Sequence, residues 1–188
     1  YSPGGRDAAN LVQVGAGLAH NEHRDCITLK DIQYVLRTGN YTHRPDHTVC
    51  GGWHVGRVNG LAVVGANEGA VLAIEAAAFP VKSGQGRWQA TGIVDQEEID
   101  TGSRKILRKS TAAGALENVK TVLRRMGLQV DDYDMHIDFP GGMPVDGPSA
   151  GVAMGIAAYS ALTGQRIDGG IAMTGEIGIG GEVLPVGG

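Results

Sequence analysis

Glycine is the residue that most constrains this chain. Thirty-one of its 188 residues are glycine, where ordinary usage of about 7% would supply roughly 13. With 42% hydrophobic residues and no low-complexity tract, the excess does not describe a disordered polymer. It calls for tight turns, helix ends and close backbone approaches, and a chain of this length can bury a real core around them. A net charge of −4 argues against a general nucleic-acid surface, which needs clustered positive charge. Two cysteines, Cys26 and Cys50, cannot build a disulfide framework, so a reducing cytoplasm is the default compartment. No run approaches 18 consecutive apolar residues, and residues 1–20 lack the basic start and apolar centre of a signal peptide. Neither a membrane span nor secretion is expected.

Periodicity divides the chain. Residues 6–19 place Ala8, Leu11, Val12, Ala16 and Leu18 at mostly three- and four-residue spacings, an amphipathic helix pattern. Thr28 with Asp31 three residues later predicts a capping box for a second helix that Gly39 ends. Two short helices make a poor domain by themselves, so they are expected to pack on an upstream segment or on the rest of the protein. Residues 40–52 carry proline, glycine and polar punctuation without a period and read as a linker. Residues 57–64 and 70–78, separated by GANEG, read as a hairpin, and 87–94 as another strand. A long helix is predicted from Ser103 to Met126, the alternating DMHIDFP (134–140) as a strand, and a further helix from Pro148 to Thr163, closed by Gly164. Residues 171–174 and 182–186 read as closing strands joined by a glycine-rich turn. This irregular interleaving gives an α+β, or mixed α/β, class without internal repeats.

The informative stretch is FPGGMPVDGPSAGVAMG at 139–155. A strand ends, a tight turn carries Asp146 and Gly147, Pro148 suits the first turn of a helix, and Ser149 follows beside Ala150 and Gly151. Small neighbours leave the hydroxyl accessible, and the free N–H groups of a helix start can hold an oxyanion. The same pattern reads equally as an ordinary helix start that Asp146 or Ser149 caps, with no reaction. A nucleophilic serine needs a base. His136 and Asp138 share one strand face, where a structural hydrogen-bonding role competes. None of Lys30, Lys82, Lys105, Lys109 and Lys120 follows Ser149, and the run RKILRK reads as a solvated helix face. From chemistry alone the serine has no partner.

DGPSAG at 146–151, AMTGEI at 172–177 and GEVLPVGG at 181–188 together resemble the proteolytic domain of the Lon ATP-dependent serine proteases, and the likeness extends back through 57–140. FPGGMPVDG and GGRDAANLVQ look most like the B-type branch. The resemblance implies the Lon proteolytic fold, similar to that of ribosomal protein S5 domain 2. It also implies a Ser-Lys dyad endopeptidase acting on unfolded polypeptide, with Ser149 as nucleophile. Thr174 falls where the family has a threonine that hydrogen-bonds the catalytic lysine, while Asp146, Gly147 and Ala150 shape the turn. That lysine lies a few residues beyond the glycines matching Gly187 and Gly188, so the resemblance places the base past the end of this sequence. A chain ending there is expected to be inactive alone. Residues 1–39 resemble the last helices of an AAA+ lid, with Arg6 in the place of a nucleotide-sensing arginine, followed by the linker 40–52 and the proteolytic domain 53–188, cut short at its C-terminus. ATP and Mg are implied for the full-length protein, as is a homo-oligomeric ring, usually a hexamer. No GxxxxGK[ST] loop occurs in these residues, so no cofactor is expected on this chain itself.

A non-catalytic Lon-like scaffold or binding domain is the alternative, against which the Ser149 and Thr174 motifs and the acidic charge speak. The spacings His20-x2-His23-x2-Cys26 and His43-x3-His47 suggest zinc only superficially, because no C-x2-C anchor exists, and no metal is expected. The basic run Arg104, Lys105, Arg108 and Lys109, balanced by 95–100, reads as a helix face or subunit contact. Trp53 and Trp88 read either as core or as groove residues.

Overall fold

A computed structural model describes residues 5–39, 49, 51–65, 68–94, 96–100, 105–141 and 145–186. Most of the linker 40–52, His43, His47, Arg104 and the Gly187–Gly188 pair lie outside the described residues. The chain divides into a smaller unit of residues 1–46 with 63–68 and a larger one of residues 47–62 and 69–188.

The smaller unit holds α1 (Gly5–Asn21) and α2 (Leu29–Thr38), the helices expected from the periodicity. Gly15 of α1 lies where a Cβ would come within 3.2 Å of Ile32 and 3.3 Å of Ile27, so the small residue lets the two elements meet. At the start of α2 the Asp31 carboxylate accepts the Thr28 N–H at 2.7 Å and the Thr28 hydroxyl at 2.8 Å. Arg24 grips the same carboxylate through two nitrogens at 2.6 and 2.9 Å, the fork geometry that favours arginine over lysine. First the guanidinium, then the Thr28 donors, hold this carboxyl well below the usual carboxylate range.

After α2 the chain runs through β1 (Trp53–His54), β2 (Arg57–Gly65), β3 (Glu68–Pro80), β4 (Trp88–Thr91), β5 (Gln96–Asp100), β6 (Lys105–Lys109), α3 (Thr111–Arg125), β7 (Tyr133–Asp138), α4 (Gly151–Thr163), β8 (Ile167–Asp168), β9 (Ala172–Met173), β10 (Glu176–Ile177) and β11 (Val183–Leu184). Strands β4-β7-β3-β2-β9 form a mixed sheet, with β3 antiparallel and β4 parallel to β7, and β9 parallel to β2. The class is the mixed α/β one expected. Alternation on β7 sends Met135 and Ile137 into the core, where they meet Val119 and Leu123 of α3 and Met154 and Ala157 of α4. His136 and Asp138 therefore lie on the opposite face. Trp88 packs on the core and donates its indole N–H to Val130 O at 2.9 Å, whereas Trp53 is 65% exposed.

Two expectations are corrected. The helix predicted from Ser103 begins only at Thr111. Lys105–Lys109 is a strand, antiparallel to Gln96–Asp100, with Glu97 opposite Arg108 and Asp100 opposite Lys105 in register. The buried Ser110 sets the helix start, its Oγ accepting the Ala113 N–H at 3.1 Å while donating to Val94 O. The basic run is thus a strand, not a helix face. The closing strands also pair differently: β9 joins the main sheet, and the glycine-rich turn connects β10 to β11.

A buried hydroxyl closes one end of the sheet. Gly56 takes a left-handed φ of 70° because a Cβ there would run into Ala76 O, and its N–H donates at 2.8 Å to Ser160 Oγ of α4. The Ser160 hydroxyl in turn donates to Gln165 O. Ser160→Ala leaves the Gly56 N–H buried without its acceptor and is expected to cost about 1–3 kcal/mol of stability; a urea midpoint equal to wild type would refute this. For the smaller unit, Asp31 binds its proton more weakly when folded than when unfolded. Its stabilisation is complete above about pH 5 and is lost as pH falls through the unfolded value toward the depressed folded one. The gap in α2 amide protection between wild type and Asp31→Asn should therefore narrow from about pH 5 to about pH 2, and a constant gap would contradict this.

Candidate active site

After β7 the chain is led, through a series of tethers, to the helix start that carries Ser149. Phe139, buried, donates its N–H to Thr91 O at 3.1 Å. Val145 then forms a parallel bridge with Ile93, its N–H reaching Gly92 O at 2.8 Å and its carbonyl accepting from Val94 N at 3.0 Å. One residue on, Asp146 Oδ1 accepts the Thr111 hydroxyl at 3.1 Å and the Ala112 N–H at 3.4 Å. The carboxylate thereby sits at the N-terminus of α3, where a negative charge is favoured. Gly147 follows with φ 107° and ψ 149°, a backbone state that a side chain resists. Pro148–Ala150 forms a 3-10 turn that runs directly into α4.

Ser149 is half-buried in that turn. Its carbonyl accepts the Gly175 N–H at 2.8 Å and the Thr174 hydroxyl at 3.2 Å, while Val152 N–H returns a bond to Gly175 O at 3.0 Å. Residues 149–152 and 174–175 are therefore zipped together from both sides. Glycine makes the approach feasible: a Cβ on Gly175 would come within 2.8 Å of Val152 Cγ2, and one on Gly151 within 3.0 Å of Ile177 Cγ2. Asp146, Gly147, Ser149, Ala150 and Thr174 are thus brought to one place. Among the described residues no hydrogen bond occupies the Ser149 hydroxyl. At the start of α4 the Gly151 N–H donates to Pro148 O and the Val152 N–H to Gly175 O, so backbone groups hold the turn while it presents the Ser149 hydroxyl.

The other candidates fall elsewhere. The Thr91 hydroxyl donates to the Asp138 carboxylate, and His136 Nε2 lies 2.9 Å from the same oxygen. Because Thr91 spends its only proton on Asp138, Nε2 is the donor to Thr91 and the carboxylate orients the pair. His136 and Asp138 line a groove of about 440 Å³ with His54, Arg57 and Glu75; residues 146–151 do not line it. Lys120 is bound to Asp131 at 3.0 Å and is no base for Ser149. Arg6 is exposed in the first turn of α1, within the smaller unit. Among the described residues no three His, Cys, Asp or Glu side chains converge as a metal site requires. Thr91 and Thr111 escaped notice in the sequence, where nothing distinguishes them from surface threonines.

The chain matches the family model of the Lon protease (S16) C-terminal proteolytic domain over residues 27–188. It is 46% identical to Lon protease 2 of Bacillus subtilis over 188 residues, covering all of this chain and 34% of that protein. Identity to the archaeal Lon protease of Archaeoglobus fulgidus is 34%, across 97% of this chain and 30% of the relative. To the Lon protease of Escherichia coli it is 39%, across 71% of this chain and 16% of the relative. The chain thus spans about a third of the length of the first two.

Asp146 supports the turn through the start of α3. Asp146→Ala removes the acceptor for Thr111 and Ala112 and is expected to cost roughly 1 kcal/mol; an unchanged denaturation midpoint would show that the contact carries no stability.

Proposed function

The chain belongs to the Lon protease (S16) family, and from this premise we propose that it forms the proteolytic part of an ATP-dependent serine endopeptidase with Ser149 as its nucleophile. The observation that carries this reading is the geometry of residue 149: an unengaged hydroxyl on a helix start whose own carbonyl is pinned by Thr174 and Gly175. Ser149 Oγ attacks the peptide carbonyl as its proton passes to a neutral lysine amine, which the family resemblance places beyond Gly188. The Oγ–C bond forms, and the oxyanion is held by backbone N–H groups around 147–150. The lysine then returns the proton to the leaving amine as the C–N bond breaks, and water hydrolyses the acyl-enzyme. Thr174, exposed at this junction, stands where it can orient the lysine. Asp146 and Gly147 keep the turn in shape, and Ala150 leaves it open.

Strand β2 is the proposed seat of the substrate. Among the described residues its backbone pairs with β9 at Asn59 and Gly60, and β9 leads directly into Thr174. An extended polypeptide added along β2 would be held by main-chain hydrogen bonds, which accept many sequences. In the full-length protein, unfolded polypeptide would be delivered by an AAA+ ATPase using ATP and Mg, with residues 1–39 as the end of its lid. Arg6 there is free to reach phosphate oxygens, a role suited to a guanidinium. The assembly is proposed to be a homo-oligomeric ring, a hexamer in the family pattern, located in the cytoplasm. Among the described residues no helix is long and apolar enough to cross a membrane.

In the full-length protein, Ser149→Ala should lower peptide hydrolysis to below about one-thousandth of wild type and abolish labelling by a serine-directed probe. Undiminished cleavage would remove Ser149 from the chemistry, and absence of labelling in the wild type would favour the scaffold alternative.

A further inference from the structure

The segment that grips Ser149 is tied to the main sheet on one side, through β9, and leaves it on the other. Thr174 and Gly175 lead into β10, which among the described residues pairs only with β11, two residues on each side and outside the main sheet. An isolated ribbon of this size is not stable by itself. What steadies it is α3. Asn118 Nδ2 donates to Ile177 O at 3.2 Å, and Arg125 Nη1 donates to Ile179 O at 2.8 Å. Thr111, whose hydroxyl reaches Asp146, lies two helical turns before Asn118, and Arg125 two turns after it. At 3.6 residues per turn the three share one stripe of the helix. A single rigid helix thus touches the chain both before Ser149, at Asp146, and after Thr174, at Ile177. The middle contact is the most direct, because the Ile177 peptide nitrogen sits 3.1 Å from where a Cβ of Gly151 would be, two residues past the nucleophile.

We infer that Asn118 is a positioning residue for Ser149: its amide fixes the Ile177 carbonyl, and so fixes the distance between the Thr174–Gly175 grip and the start of α4. This rests on Ser149 being the nucleophile. The amide touches neither substrate nor the reacting atoms. It acts by holding the serine and the proposed oxyanion donors in one arrangement, where small displacements are costly to rate. Other arrangements fit less well: Arg125 is exposed and holds the far tip of the ribbon, and Thr111 acts through a carboxylate that has another donor.

The test uses the full-length protein and three variants, with a short fluorogenic peptide and a serine-directed phosphonate probe. Asn118→Asp keeps the shape of the side chain but removes the donor. It is expected to lower kcat and the rate of Ser149 acylation about tenfold alike, with KM within about twofold. Asn118→Gln, which retains an amide donor, is expected to recover most of the loss. Acylation of Asn118→Asp at the wild-type rate overturns the inference. So does an equal loss in Asp and Gln variants, or a loss accounted for by a smaller folded fraction in near-UV circular dichroism. Ser149→Ala run alongside separates the two levels: if it still hydrolyses peptide as wild type does, the nucleophile reading falls and this inference with it. If Ser149→Ala is inert while Asn118→Asp acylates normally, only the role of Asn118 falls.

Discussion

The carbonyl of Ser149 accepts two hydrogen bonds, one from the Gly175 amide and one from the Thr174 hydroxyl, and the local architecture is arranged around this junction. It joins the first turn of α4 to a segment leaving the far edge of the sheet. Each neighbouring choice serves the approach. Gly151 and Gly175 bring the two backbones within reach, Val152 returns a bond to Gly175 O, and Ile177 packs where a larger residue at 151 would stand. Because backbone groups do this work, the serine side chain itself is left without a structural task. A capping serine would have its hydroxyl turned back onto the helix N–H groups. Here the capping-type work falls to Asp146 and Ser110 at the next helix over.

The glycine excess takes a more specific meaning from this geometry. Gly147 supplies a dihedral that other residues resist, Gly92 lets Phe139 pass close behind the turn, and Gly56 admits the Ala76 carbonyl at the sheet end. These are fixed positions packed against named atoms. The other side of the sheet shows the same economy with polar groups: Thr91 collects both His136 and Asp138, which gives those residues a mutual structural partner away from the helix start.

What could be read in the sequence was what depends on near neighbours. The Thr28 and Asp31 cap, the strand alternation at Met135 and Ile137, and the Pro148 helix start all involve residues a few positions apart, and all three are found. Residues 105–109 form a strand where a helix is expected, because a short charged and apolar run suits helix or strand equally. The deciding partner, Gln96–Asp100, acts through pairing rather than local preference. Thr91, Thr111 and Asn118 were invisible for a related reason. Their partners lie 47, 35 and 59 residues away, and an asparagine on a helix carries no signal of which distant carbonyl it will meet. Ser149 could be picked out from its small neighbours and helix-start position, but Thr174 beside it was legible only through likeness to a family, since their proximity is created by the fold.

The pairing of β2 with β9 carries a consequence for the order in which the protein becomes organised. Asn59, buried in β2, reaches across to Gly169 O at 2.7 Å, a contact between residues 110 positions apart, and β9 is the strand that delivers Thr174. Contacts of such long sequence separation form late and slowly, after the loop between them has been closed. During synthesis, Ser149 leaves the ribosome before the residues that fix its carbonyl. The junction that pins the Ser149 carbonyl is thereby completed only after β9 has been made and paired with β2, and the delay follows from strand order alone.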